Sequence, residues 1–263
     1  MRIIQRGEGD PLVFIQGLHG RWEYAQLTVD ALAKHFRVIT FSLNDEPSAS
    51  CAFDASRPFD SYAAQVGAAL EASGCTRAVI CGQSFGGLVA LRFAAMNPSR
   101  SAALILGSTP GPGWHLKRRH EIYARLPWLL GPLFFLEAPF RASGELAAAL
   151  PSLRDRAAFS LNMLRAMVRG PLSPARMAAR ARRIVAYDVL ADCARITVPT
   201  LVLTGEAALD HVVPVEGTSK YATVIRGARS AVLERTGHLG SLTRPDEFAA
   251  LIRDFAQALP HAA

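Results

Sequence analysis

One hydroxyl stands between two glycines in Gly82-Gln83-Ser84-Phe85-Gly86. The apolar run Ala78-Val79-Ile80-Cys81 precedes it, and the helix-forming run Gly87–Met96 follows. A buried strand that reverses into a helix within so few residues needs a very sharp turn. The apex residue is then held in a strained conformation, and its neighbours two positions away must lack side-chain bulk. Gly82 and Gly86 meet that demand, so the pattern predicts Ser84 held out at the carboxyl edge of a sheet as the nucleophile of a G-x-S-x-G turn. A serine serving only as a helix N-cap would account for Ser84 but for neither glycine.

A serine hydroxyl is a weak nucleophile at neutral pH and needs a base, usually a histidine oriented by a carboxylate. On a parallel sheet these groups belong on loops at the carboxyl ends of strands. Of the seven histidines, His238 is placed that way, in the glycine-rich loop "RTGHLGSL" after the run Ser230–Glu234. His35 falls at a helix end, His115 and His120 in the middle of the chain, and His261 in the tail, while His211 directly follows a carboxylate. The stretch "TLVLTGEAALDHVVP" offers Glu206 and Asp210 after another strand. Asp210, in the loop beyond the strand end, is the expected partner of His238, with Glu206 as the fallback. Asp188 and Asp192 precede that strand, at its wrong end, and are expected to cap or flank a helix. The oxyanion of acyl transfer needs two main-chain donors. Phe85, following the nucleophile, supplies one, and Leu18 in "FIQGLHGRW" the other.

These groups need a scaffold. Strands are expected at Arg2–Gln5, Leu12–Gln16, Arg37–Leu43, Arg77–Cys81, Ala102–Leu106, Thr200–Thr204 and Ser230–Glu234. Helices are expected between and after them, at Glu23–His35, Phe59–Ala72, Gly87–Met96, Glu216–Ile225 and Asp246–Leu259. Such alternation predicts an α/β fold, a mostly parallel central sheet of about seven strands flanked by helices. The rhythm breaks over residues 111–193, where helical patterns around Ala157–Val168 and Pro174–Arg183 occur without a convincing strand. A structureless loop of that length is improbable. The chain therefore reads as a core domain of residues 1–110 and 194–263 with an inserted helical subdomain, 111–193, lying over the sheet.

Half of the 263 residues are hydrophobic, enough for one sizeable core. The opening "MRIIQRGEGDPLVFIQG" lacks the basic, apolar and small-residue regions of a signal peptide. No uninterrupted apolar run approaches the roughly 20 residues that span a bilayer. Cys51, Cys75, Cys81 and Cys193 show neither metal-ligand spacing nor a disulfide framework, so no metal is expected and a reducing cytoplasm is the default. The net charge of +7 resides wholly in residues 111–193, which hold 13 Lys/Arg and 6 Asp/Glu. No nucleic-acid motif accompanies it, so nucleic acid is not expected. An anionic or amphiphilic substrate, or weak contact with a membrane surface, suits such a segment.

"GQSFGG", "GLHG", "LDHVVP" and "TGH" together resemble the α/β-hydrolase family, and the order Ser84…Asp210…His238 is the one that fold carries. The resemblance spans nearly the whole chain outside residues 111–193, which then resemble a cap domain. Two stretches depart from the family pattern. Gln16-Gly17-Leu18-His19-Gly20 stands where many relatives have H-G-x-x-G, and "LNDEPSAS" stands where many have Asp-x-Arg-Gly. The short amino end implies about seven strands rather than the common eight. The resemblance implies a cofactor-independent serine hydrolase acting on a carboxylic ester or related acyl bond of a small, largely apolar substrate. Carbon–carbon bond hydrolases, lactonases, thioesterases and acyltransferases share the triad, and the scaffold also hosts non-catalytic binding proteins. In the cap, "LPWLLGPLFFLEAPF" carries one charge. Trp128 and Phe135, together with His19, are expected to contact substrate. The prolines of that stretch predict an irregular surface over the pocket mouth rather than regular helix.

Overall fold

The computed structural model describes residues 2–49 and 51–259, so His261 lies outside the described residues. Seven strands form one sheet: β1 (Ile3–Arg6), β2 (Pro11–Ile15), β3 (Arg37–Phe41), β4 (Ala78–Gln83), β5 (Ser101–Gly107), β6 (Thr200–Thr204) and β7 (Arg229–Val232). Their order is β1-β3-β2-β4-β5-β6-β7. β1 runs antiparallel to β3. All other pairings are parallel. The seven expected strands are therefore present, with ends moved by at most two residues and Thr200–Thr204 unchanged.

Alternation along each strand builds two cores. Val13, Ile15, Ile39, Ile80, Leu104, Leu106 and Val202 point to one face and pack with α2 (Pro58–Ala72) and α3 (Phe85–Met96). Leu12, Phe14, Val38, Val79, Cys81, Ile105, Leu201 and Leu203 point to the other. There they meet α1 (Gln26–Leu32) and the carboxyl-terminal helix Pro245–Gln257. Side chains of period two with both faces covered explain why the central strands read as continuous apolar runs. The expected helix Glu23–His35 is a 3-10 turn, Trp22–Ala25, followed by α1, and the expected helix Glu216–Ile225 is two short helices, Val215–Ser219 and Tyr221–Val224.

Between β5 and β6 lie α4 (Arg118–Arg125), α5 (Pro127–Ala149), α6 (Leu153–Arg169), α7 (Pro174–Ala186) and α8 (Val189–Cys193), with no strand among them. The expectation of an irregular surface over Leu126–Phe140 is overturned: α5 runs unbroken for 23 residues with Pro132 and Pro139 inside it. Pro127 takes the first turn, where its missing N–H costs nothing. Each interior proline removes one donor and crowds one turn, without forbidding helix on either side. Gly131 lies against Pro174 of α7 at one end, and Glu145 is bonded to the core domain at the other, so packing holds the helix through both prolines.

Candidate active site

β4 delivers Ser84 to the sheet's carboxyl edge with φ 55° and ψ −121°, in the left-handed half of conformational space that the glycine spacing predicted. A side chain at Gly82 would meet the carbonyl oxygen of Gly86 at 2.1 Å, and one at Gly86 would meet that of Ile15 at the same distance. Close backbone approach, more than turn geometry, thus excludes every other residue there. The Ser84 N–H donates to Gly107 O at 2.7 Å, and Ser84 O accepts from Gly87 N–H at 2.9 Å, which pins the turn on both sides.

The loop after β7 brings His238 Nε2 to 3.0 Å from Ser84 Oγ. Behind the ring, Nδ1 lies 3.4 Å from Asp210 Oδ2. That is a long, poorly aligned contact, and Nδ1 has no other partner among the described residues. Asp210 is in turn held by its other oxygen, which accepts the N–H groups of Val212 and Val213, each at 2.9 Å. Burial alone would raise the Asp210 pKa; the His238 contact and the two N–H donors outweigh it and hold the carboxyl below its ordinary value. Glu206 does not reach the histidine, because its carboxylate accepts the Arg235 N–H at 2.6 Å. Ser84 is 9% exposed, and the side chain of His238 12%.

Gly17 stands beside Ser84, with the serine Oγ 3.8 Å from where a Gly17 side chain would begin. Leu18 follows in the same loop, and Phe85 opens α3, where the first N–H groups lack intrahelical acceptors. His19 stacks on Tyr24 with ring centroids 4.9 Å apart. Burial, then the charges of Arg180 and His238, lower its pKa to about 4, so it is neutral at physiological pH. The structure therefore gathers Ser84, Asp210, His238, the Leu18 loop and Phe85, with His19 alongside. Trp128 is 76% exposed in the first turn of α5. Phe135 is half-buried on α5, against Phe134. Asp188 caps α8 by accepting Ala191 N–H, as its position before β6 suggested.

Two side chains from the helical segment were not foreseen. Arg180 of α7 is fully buried. It donates to Leu18 O at 2.9 Å, to Asp45 Oδ1 at 2.6 Å and to Glu46 Oε1 at 2.5 Å. Arg176 reaches Glu46 at 3.1 Å, and Arg183 reaches Asp45 at 2.9 Å. The three arginines at i, i+4 and i+7 form one helix face, a spacing visible in the sequence, and their acceptors are the acidic pair of "LNDEPSAS". Glu145 of α5 is buried and accepts the Leu239 N–H, next to His238, at 2.7 Å. Burial raises its pKa above the ordinary carboxylate value, partly opposed by donors from Gly237 and Leu239. A lone glutamate late in an apolar helix gave no signal of this. The segment thus grips the loops on both sides of Ser84. Among the described residues, no group of three or more His, Cys, Asp or Glu is placed to share a metal ion.

Residues 12–251 match the model of the Alpha/beta hydrolase family. The chain belongs to that family. It is 29% identical over 257 residues to the "Putative carbamate hydrolase RutD" of Variovorax paradoxus, covering 94% of this chain and 92% of the relative. Identity is 28% over 271 residues with the pimeloyl-[acyl-carrier protein] methyl ester esterase of Xanthomonas campestris, covering 99% and 100%. Among solved structures, the enol-lactonase from Burkholderia xenovorans superposes with a TM-score of 0.77 at 21% identity, covering 97% of this chain and 96% of that one, and shares the fold. An α/β-hydrolase enzyme is the coarse identity these similarities carry.

Proposed function

We propose that this protein is a serine hydrolase that cleaves a carboxylic ester or related acyl bond of a small, largely apolar substrate through an acyl-enzyme. The observation that carries the reading is the 3.0 Å approach of His238 Nε2 to Ser84 Oγ, with Asp210 behind the ring. His238 takes the hydroxyl proton as Oγ bonds to the carbonyl carbon, and the carbonyl electron pair moves onto oxygen, which the N–H groups of Leu18 and Phe85 stabilise. As that intermediate collapses, the bond to the leaving oxygen breaks and His238 returns the proton to it. Water then repeats the sequence, with His238 as base, and frees the acid and Ser84. Asp210 keeps the imidazole in the tautomer that leaves Nε2 free to accept.

Residues 111–193 act as a cap in this reading. Ser84 is nearly covered, and the loops on both sides of it are held from α5 and α7, so a substrate enters only when that segment shifts. His19 and Phe135 are the candidates for substrate contact. The reaction is tested first with a fluorophosphonate probe: labelling of the wild type and not of Ser84→Ala supports it, and absence of labelling favours a non-catalytic binding protein. A panel of acyl esters of graded chain length, with lactones, thioesters and a carbamate, then ranks the bond cleaved. The carbamate belongs in the panel because a relative carries that name.

A further inference from the structure

Helix α5 turns an apolar side outward. Trp128, Leu129, Leu136 and Phe140 are 76, 71, 70 and 81% exposed, and Leu133 lies between them at 44%. Pro132 and Pro139 are exposed on the same side. A helix on the surface of a globular protein ordinarily shows polar residues to water. Here the inward side has a core of its own, for Gly131 abuts Pro174 and Phe134 packs edge-on against Tyr123 and under Arg141. The outward residues are therefore not surplus core. Five large apolar side chains in one row form a patch of several hundred Å², the size that marks an interaction surface.

Charge identifies what covers it. Residues 111–193 hold a net charge of +7, and the neighbouring helix α4 exposes Arg118 and Arg125, while Lys117 donates to His211 O and Arg119 and Arg141 are bonded to Glu137 on the inward side. Pairing with a second copy would set two strongly basic segments together. A protein partner's interface carries roughly one hydrogen bond per 100–200 Å², and this row offers a single donor, the Trp128 indole N–H. Apolar side chains with an indole at one end and basic residues around them are what a bilayer interface accepts. None of the described helices is long and apolar enough to cross a membrane. We propose that α5 lies flat on an anionic lipid surface, with Trp128, Leu129, Leu133, Leu136 and Phe140 among the acyl chains and Arg118 and Arg125 at the headgroups. Docking stands apart from the reaction proposed above and is read by binding rather than turnover.

The experiment is co-sedimentation of the full chain with vesicles of equimolar phosphatidylcholine and phosphatidylglycerol, and with vesicles of phosphatidylcholine alone, at low and high salt. Binding to the mixed vesicles is expected to be much stronger and to weaken with salt. A blue shift of tryptophan emission should accompany it and vanish in Trp128→Phe. The double change Leu129→Glu, Leu136→Glu should cut partitioning tenfold or more with an unchanged circular dichroism spectrum. Arg118→Ser with Arg125→Ser should also cut it roughly tenfold or more on anionic vesicles alone. The proposal is overturned by an absence of binding to mixed vesicles, by equal binding to neutral ones, or by binding that the double glutamate variant retains. It is also overturned if the wild type is a dimer in sedimentation equilibrium that this variant converts to monomer, since a second copy would then cover the row.

Discussion

Arg180 Nη1 donates to the carbonyl oxygen of Leu18 across 2.9 Å, linking a buried guanidinium in the helical segment to the loop assigned to hold the oxyanion. The same side chain neutralises Asp45 and Glu46, both buried. One residue therefore sets both the seat of α7 on the core and the main-chain direction beside Ser84.

Replacing Arg180 with Met should leave two buried carboxylates short of a partner. Breaking a buried ion network from one side costs about 3–5 kcal/mol. Arg176 and Arg183 remain to hold Glu46 and Asp45, which places the expected loss toward the low end. Urea unfolding measures it. In whatever fraction stays folded, kcat should fall more than KM rises, since the Leu18 carbonyl loses its donor. A variant as stable as wild type would mean the network contributes no net stability.

Ser84→Ala and His238→Ala should each remove nearly all turnover, and the double variant should lose little more, because groups that act as one unit are not additive. Single-turnover assays on the three variants decide this. Losses that multiply would show that the 3.0 Å contact is incidental to the chemistry.

Asp210→Asn should lower kcat by orders of magnitude by favouring the wrong histidine tautomer. Glu206→Gln should be mild, its oxygen still able to accept the Arg235 N–H. The reverse ranking would transfer the orienting role to Glu206.

His19 gives a pH dependence of stability. Its pKa in the fold is lowered to about 4 from the ordinary 6.5. Between those values the unfolded chain binds the extra proton, so stability is full above about pH 6.5 and falls as the pH drops toward 4. The loss is at most about 3 kcal/mol at 1.36 kcal/mol per pH unit. His19→Gln should flatten that part of the profile, read as urea midpoints from neutral pH down to 4. A variant whose midpoints fall in parallel with wild type would place the acid sensitivity elsewhere.

Glu145 has the opposite sign. Its raised pKa favours the folded state most at low pH, and that contribution is lost as the pH rises through the raised value. Glu145→Gln, which keeps an acceptor for the Leu239 N–H, should gain stability relative to wild type above that value. Thermal melts of the pair across the acid-to-neutral range measure the difference.

Much of this was legible in the chain itself because the determinants are local. Gly82 and Gly86 specify the turn at Ser84, period-two alternation specifies the strands, and His238 declares itself by following a strand in a glycine-rich loop. Two neighbouring carboxylates, by contrast, look alike in one dimension. Asp210 is chosen because its own turn supplies the N–H groups of Val212 and Val213, while Glu206 is consumed by Arg235. The outward face of α5 is likewise a tertiary fact: the stretch is apolar nearly all round, so only packing against α7 decides which side meets water. Arg180 stands 162 residues from Leu18, and Glu145 stands 94 from Leu239. No periodicity couples residues so far apart. Their meeting is set by where the folded helices land on the sheet edge, and burial then makes each unpaired polar group too costly to leave without its partner.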